Sequence, residues 1–395
     1  QVLDKASVDG PLSALEAVRS KLQQPFPLGY SNVGRVIEIG DLIKDFKVGD
    51  RVISNGPHAE IFTTTKHLCA KIPDSVSDEH AAFTVISSIG LQGIRLASPT
   101  LGETFLVSGL GLVGLLTAQI LKINGCRVLG IDPDPKKTAI ASSLGITTLT
   151  IKDEKNTIDW CLENTKGIGI DGALITASTS SSDPIDLAAK ACRKRARIIL
   201  IGVTGLNLKR DLFYKKEISF QVSCSYGPGR YDQEYEEKGI DYPLAFVRWT
   251  EQRNFETILQ LLESGLFKID NLITHKFPFN EAPKAYDLIR SEENSLGILF
   301  DYPNKVCLNE TIKLDSKTKI ENLYKTNPIV SFIGAGNYAS RKLIPAFKKT
   351  NAKFLSISAS NGLLPSFIGK KFNFQNSSTN LDDVFNNQAC NTIVI

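Results

Sequence analysis

Three glycines and one aspartate carry the clearest chemistry in this chain. Gly109, Gly111 and Gly114 lie in the stretch TFLVSGLGLVGLLTAQILKINGCRVLGID, which runs from Thr104 to Asp132. The spacing G-x-G-x-x-G, set between a β-prone run and a helix-forming one, suits a turn that holds a pyrophosphate. Gly109 permits the tight turn, Gly111 lets the backbone approach the phosphates, and Gly114 lets helix and strand pack closely. The backbone N–H groups at the helix start, through Leu110, Leu112 and Val113, would hold the phosphates. Asp132 follows about 20 residues on, where a carboxylate bonds a ribose 2′-hydroxyl and repels a 2′-phosphate. NAD is therefore favoured over NADP, although Lys136 and Lys137 of PDPKK temper the preference. The alternative is a glycine turn that no longer binds a ligand.

Other residues could complete such a site. Thr176 and Ala177 end one apolar run, and Gly202 and Val203 end the next. Their backbone would face the nicotinamide ribose. Tyr226, Arg230, Tyr231, Arg248 and Trp249 crowd into the polar, aromatic segment 224–253. Aromatic faces stack on sugar rings and guanidinium forks hold phosphates or carboxylates, so a sugar or nucleotide-sugar substrate would use both. A surface excursion or subunit contact stapled by Arg–Glu pairs is the open alternative, because Glu234, Glu236 and Glu237 lie close by. His58 of GPHAE titrates near neutral pH and can carry a proton; a turn histidine bonded to backbone is the other possibility. A second turn, G-x-G-x-x-A at Gly334, Gly336 and Ala339, follows the run from Ile329, but Ser358, Ala359 and Ser360 stand where an acid would close its second strand.

The surrounding elements must position these residues. Residues 1–24 read as a helix ended by Gln24-Pro25-Phe26-Pro27. Short β-like runs at 34–39, 51–54, 60–64 and 70–72, separated by glycines and charged turns, have the texture of a small barrel. Residues 77–98 read as helix. From Thr104 to Val203, strand and helix patterns alternate, which argues a parallel sheet covered on both faces. Residues 303–327 are polar and suit a linker.

The 395 residues are enough for two or three domains. A hydrophobic content of 42%, a charged content of 22% and a net charge of +4 with scattered basic residues suit a globular protein without a nucleic-acid partner. No membrane span or signal-peptide pattern is visible. The seven cysteines are far apart, as expected for reduced thiols in a cytoplasm. The chain starts with Gln, contains no Met and ends in the strand-like CNTIVI, so material is expected to be missing at both ends.

The order of GDRV-containing barrel, helix, GLGLVG unit and return strands resembles the medium-chain dehydrogenase/reductase superfamily, the alcohol dehydrogenase-like enzymes, over about residues 1–302. From about 328 the chain resembles the opening half of the glucose–fructose oxidoreductase-like (Gfo/Idh/MocA) family. The combination is similar to bi-domain oxidoreductases associated with bacterial surface polysaccharide synthesis, with LGYSNVGRVIEIG, SNGPHAE, VSCSYGPGRYD and FVRWTEQRNF as its phrases. The resemblance implies a test for zinc. Where zinc members carry G-H-E, this chain has Gly29-Tyr30-Ser31, and neither side chain is a usual zinc ligand. No closely spaced set of four cysteines supplies a structural site. Zinc is therefore not expected, no metal ligand is assigned, and Tyr30 takes the lost ligand's place as a candidate proton carrier alongside His58.

The expected fold is α/β. A GroES-like β-barrel domain occupies residues 1–85 and 254–302, a doubly wound Rossmann domain 86–253, a linker 303–327, and the first half of a second Rossmann domain 328–395. The expected function is zinc-independent, NAD(P)(H)-dependent hydride transfer at a hydroxyl or carbonyl of a sugar or nucleotide-sugar. Two alternatives stand beside it: a non-catalytic dinucleotide-binding module, and a zinc enzyme whose ligands precede Gln1. Self-association into a homo-oligomer is left open.

Overall fold

The N-terminal β-like pieces form a small antiparallel sheet. In the computed structural model, which describes residues 25–291, 294–303, 309–314 and 327–395, β1 (Asn32–Arg35), β2 (Arg51–Ser54) and β3 (Cys69–Lys71) pair in that order. Val52, Ile53 and Ser54 of β2 are buried, and Gly49 makes the turn before it with φ +93°, a conformation that favours glycine. The helix expected over residues 1–24 lies outside the described residues. The expected strand at 60–64 does not form: the stretch runs as a loop, and the ring of Phe62 packs where a side chain at Gly56 would stand. Among the described residues the expected barrel is thus a three-stranded sheet. The expected helix at 77–98 is also divided. Ser77 caps a single turn, Asp78–Ala81, by accepting from the His80 N–H, and α1 (Thr84–Ala97) starts only after the buried Phe83.

The central sheet follows the predicted alternation closely. Its elements are β4 (Thr104–Ser108), α2 (Leu112–Ile123), β5 (Arg127–Asp132), α3 (Pro135–Ser143), β6 (Thr147–Thr150), α4 (Glu154–Asn164), β7 (Ile170–Ile175), α5 (Asp183–Ala191), β8 (Cys192–Leu200) and β9 (Ser219–Val222). The strands lie in the order β6-β5-β4-β7-β8-β9, every pair parallel. This is the 3-2-1-4-5-6 order of a doubly wound nucleotide-binding sheet, whose direction reverses between β4 and β7. All five residues of β4 are buried, as a central strand covered on both faces requires. α1 packs on α2, and a side chain at Gly90 would lie 2.3 Å from Thr117 Oγ1. The chain returns through α6 (Glu251–Glu263), which packs on α1, and through β10 (Ile273–Pro278), α7 (Ala282–Arg290) and β11 (Gly297–Asp301). β10 and β11 form a two-stranded parallel sheet. These elements make up one unit, Leu28–Asn304.

The other unit comprises Gln1–Pro27 and Lys305–Ile395. Its five-stranded sheet contains β12 (Thr311–Lys313), β13 (Ile329–Ile333), β14 (Lys353–Ser358), β15 (Asn376–Ser378) and β16 (Thr392–Val394), in the order β12-β15-β14-β13-β16. All pairs are parallel except β12–β15. β12 lies inside the expected linker. It is a strand because Leu314, next in the chain, is buried in this unit's core beside Gly369 of α8 (Leu363–Phe372). After the turn at Gly334 (φ +105°), Ala339–Leu343 is wound as π-helix. Pro345 has no N–H to return to the Arg341 carbonyl, which removes one α-type bond at that point. Among the described residues no helix is long and apolar enough to cross a membrane.

Candidate functional site

The ends of β4 and β7 bring the expected cofactor residues together. Gly109 has φ +98°, and a Cβ there would lie 2.7 Å from the Ala177 nitrogen. Only glycine meets both demands. Thr176 Oγ1 donates to the Gly109 carbonyl at 2.6 Å, and the Val203 N–H donates to the Ala177 carbonyl at 3.1 Å. A Cβ at Gly114 would fall 1.9 Å from the Gly109 oxygen, so this glycine lets α2 close on the turn. A Cβ at Gly202 would fall 2.2 Å from the Ala177 oxygen. Gly111, by contrast, has nothing within 4 Å of where its side chain would be. The turn is tightly packed beneath and open at the one glycine that must face a ligand. Its position at the sheet's reversal point is where ligands bind doubly wound sheets, and the start of α2 supplies unpaired N–H groups there. The residues present fit a dinucleotide.

Asp132 has a role beyond the expected ribose contact. Its Oδ2 accepts from the Leu110 N–H at 2.7 Å, its Oδ1 accepts from the Asp134 N–H at 2.9 Å, and the side chain is almost wholly buried. The carboxylate ties the glycine turn to the end of β5 and takes up the Leu110 N–H, which corrects the expectation that this buried N–H holds phosphate. Lys137 stands 4.0 Å from Oδ1. In the other unit, a side chain at Gly334 or Gly336 would meet nothing within 4 Å, and the Gly334 N–H donates to the Ser358 carbonyl at 2.7 Å. Ala339 opens the π-helical stretch.

The two expected proton carriers are neighbours. The His58 N–H donates to the Leu28 carbonyl at 2.6 Å, and the imidazole lies where a side chain at Gly29 would stand, so His58 packs against the residue before Tyr30. Gly29, with φ +88°, cannot take a side chain without displacing that ring. Phe300 and Tyr286 pack edge-on to the imidazole, at centroid distances of 5.0 and 6.4 Å. Burial lowers the His58 pKa from its ordinary value, so the ring is neutral at neutral pH. Tyr30 is exposed. Ser31 donates to the Ala82 carbonyl at 2.6 Å. Tyr30 and Ser31 do not form a metal-binding pair, and among the described residues no group of three or more His, Cys, Asp or Glu side chains could hold a metal ion. The side chains described do not fit a zinc tetrahedron.

Many side chains of the 224–253 segment are held by partners within it or beside it, including an Arg–Glu pair of the kind the alternative reading expected. Tyr226 is buried. Its hydroxyl accepts from Asn55 at 2.9 Å, its ring packs on Phe255, and burial pushes its pKa up to about 12. Arg230 is paired with Glu236 at 2.5 Å and lies over the exposed Tyr231 ring at 4.1 Å. Trp249 is held by two guanidinium groups, Arg95 at 3.5 Å and Arg248 at 3.9 Å from its ring centre. Tyr235, fully buried, donates to Thr250 Oγ1 at 2.7 Å and stacks on His67. Of the five residues expected to meet a substrate, Tyr231 and Arg248 are exposed.

Sequence reasoning missed Asn254 and Glu251, which sit under this segment. Asn254 donates to the Tyr226 carbonyl at 2.8 Å and accepts from Arg95 at 2.7 Å. Glu251 is completely buried, and neither carboxylate oxygen has a hydrogen-bond partner. A Glu in the first turn of a helix reads as a solvated dipole partner, so nothing in the string marked it as buried.

With this sheet and turn, the chain has the fold of a nucleotide-dependent oxidoreductase. Residues 113–240 match the zinc-binding dehydrogenase family. The chain is similar to D-guloside 3-dehydrogenase of Escherichia coli (strain K12), 28% identical over 281 residues, which cover 66% of this chain and 73% of that one. It is similar also to D-xylulose reductase of Scheffersomyces stipitis, 24% identical over 331 residues, covering 71% and 84%. Alcohol dehydrogenase TADH from Thermus sp. ATN1 superposes with a TM-score of 0.59 at 22% identity, over 74% of this chain and 89% of that one. The chain is thus similar to alcohol dehydrogenase-like proteins of the medium-chain type, and the proteins it resembles include sugar and polyol dehydrogenases and reductases.

Proposed function

We propose that the chain is an NAD(P)(H)-dependent dehydrogenase that acts, without zinc, on a CH–OH group of a sugar or nucleotide-sugar. One observation carries this: the Gly109–Gly114 turn is closed beneath and open at Gly111, at the reversal point of the sheet. A nicotinamide cofactor bound there supplies hydride donation or acceptance. The turn and the start of α2 hold its phosphates, and Asp132 keeps the turn in shape while favouring an unphosphorylated ribose. Thr176, Ala177, Gly202 and Val203 line the neighbouring strand ends. His58, neutral because it is buried, takes the proton of the substrate hydroxyl, with Tyr30 beside it. Tyr231 and Arg248 offer the exposed aromatic and cationic surface for the sugar. The similarity to a guloside dehydrogenase and a xylulose reductase supports the substrate class.

The strand order and glycine turn of the Lys305–Ile395 unit support its resemblance to the opening half of a Gfo/Idh/MocA-like domain, with Gly334, Gly336 and Ala339 as a second dinucleotide turn. A role in surface polysaccharide synthesis in the cytoplasm rests on that resemblance. The second reading is a dinucleotide-binding module without turnover, favoured by the exposure of Tyr30 where family members carry a ligand.

The test is NAD(P)H formation or consumption over a panel of sugars and nucleotide-sugars, using protein treated with a chelator and analysed for metal. Turnover that survives metal removal is expected. Turnover that vanishes with the metal and returns with zinc would overturn the zinc-free assignment. Cofactor binding without turnover on any sugar would favour the module.

A further inference from the structure

Glu251 opens α6, with its backbone N–H bonded to the Pro228 carbonyl at 2.8 Å. Its carboxyl group is wholly buried and unpartnered. The cation that acts on it is Arg230, whose Nε is also buried and has no partner, while its Nη1 is bonded to Glu236. Glu236 Oε1 holds both the Arg230 guanidinium at 2.5 Å and the Tyr231 N–H at 3.0 Å, so it fixes the shape of the loop that presents Tyr231. A buried carboxyl with no donor and a buried N–H with no acceptor therefore belong to one electrostatically linked set with the Arg230–Glu236 pair. Orphaned groups of this kind are rare in folded proteins.

The surroundings explain why the carboxyl stays uncharged. Burial and the neighbouring Glu236 raise its pKa from 4.5 to about 8, with Arg230 opposing. The other ionisable groups acting there are Tyr226 from the segment after β9, Tyr235 from the helical turn Gln233–Glu236, and Tyr242 beyond it. Asp241 and Arg253 pair with each other nearby. The elements packed on α6 add His67 and Cys69 from the segment around β3, and Arg95 from α1.

We propose that Glu251 is a positioning residue whose protonation state sets the Arg230–Tyr231 loop. Protonated, it leaves Arg230 to Glu236 and the loop stays closed. When its proton goes to solvent, the carboxylate takes the vacant Arg230 Nε–H. It then competes with Glu236 and loosens the hold on the Tyr231 backbone. The consequence for substrate rests on the proposed dehydrogenase reading, in which Tyr231 faces the sugar; the titration itself does not.

The chain has only two tryptophans, Trp160 and Trp249, and Trp249 is two residues from Glu251. With Trp160→Phe as background, Trp249 fluorescence is followed from pH 6 to 10 without cofactor or substrate. A single step with its midpoint near pH 8 is expected, and Glu251→Gln, which keeps shape and neutrality, is expected to abolish it. A flat titration in the background protein, or an unchanged step in Glu251→Gln, would overturn the proposal. A second arm measures KM and kcat for an accepted sugar. KM is expected to rise several-fold between pH 7 and 9 in the parent protein and to stay level in Glu251→Gln. A parallel KM rise in both proteins would also overturn it. Absence of any turnover sinks the dehydrogenase reading instead and leaves the fluorescence result to decide for Glu251.

Discussion

Gly114 and Glu251 show how much of the site turns on single side chains. A methyl at Gly114 would sit 1.9 Å from a backbone oxygen that cannot move without unseating Gly109. Gly114→Ala is therefore expected to destabilise the protein by roughly 1–3 kcal/mol, the range for overpacked sites, and to weaken NADH binding; chemical denaturation and a cofactor titration read both. Glu251 acts through pH. Its folded pKa, about 8, is raised above the ordinary 4.5, so the folded protein holds a proton that the unfolded chain releases. The stabilisation from that proton is complete below 4.5 and is lost as pH rises through about 8. Denaturation midpoints are expected to fall from pH 5 to pH 9, and Glu251→Gln to flatten the fall; an unchanged slope would contradict this. The glycines were legible because each has a steric duty written in its spacing. Glu251 was not, because burial at a helix start depends on residues distant in the chain. Asp132 was legible as an acid at the right place, but not as a brace for the Leu110 and Asp134 N–H groups.

At the scale of elements, the alternation of apolar runs and amphipathic stretches from Thr104 to Val203 placed β4 to β8 of the central sheet. Strands buried on both faces read as continuous apolar runs, and the helices between them carry their own caps, such as Asp134 and Asp153. The barrel was less legible, since segments such as 60–64 alternate like strands but are pinned by one ring instead of a ladder. β12 was hidden because a three-residue edge strand leaves almost no pattern. The 224–253 segment was legible as unusual, with Arg–Glu pairing as one of its two readings, but the hold on Trp249 and Tyr226 was not, because their partners come from α1 and from the residue after β2. Burial beside Arg248 lowers the Arg95 pKa to about 10, yet the group remains cationic at neutral pH and stacks on Trp249. Trp249→Ala is expected to cost about 1–3 kcal/mol through two lost cation–π contacts and lost burial. Trp249→Phe should recover part of it, as thermal melts would show; equal losses in both would remove the stacking explanation.

At the scale of the whole molecule, the two units have separate hydrophobic cores. The residues around Phe105, Leu115 and Phe255 and those around Leu106, Ile175 and Ile198 all belong to Leu28–Asn304, while Phe332, Phe354 and Phe374 belong to the other unit. A chain ending at residue 303 is therefore expected to keep its NADH affinity within about a factor of three, because its cofactor turn draws on no residue of the second core; a larger loss on titration would contradict that separation. The Leu28–Asn304 unit ends near the start of the polar stretch 303–327, and the strand within that stretch was not legible. Cofactor binding at the Gly109–Gly114 turn is the claim on which the rest depends, and calorimetric titration of NADH into the parent protein, Gly111→Asp and Gly336→Asp tests it most directly. A carboxylate at Gly111 would occupy the open face meant for phosphate, so Gly111→Asp is expected to lose that binding by a hundredfold or more while Gly336→Asp keeps it. Parent-like NADH affinity and stoichiometry in Gly111→Asp would contradict the assignment.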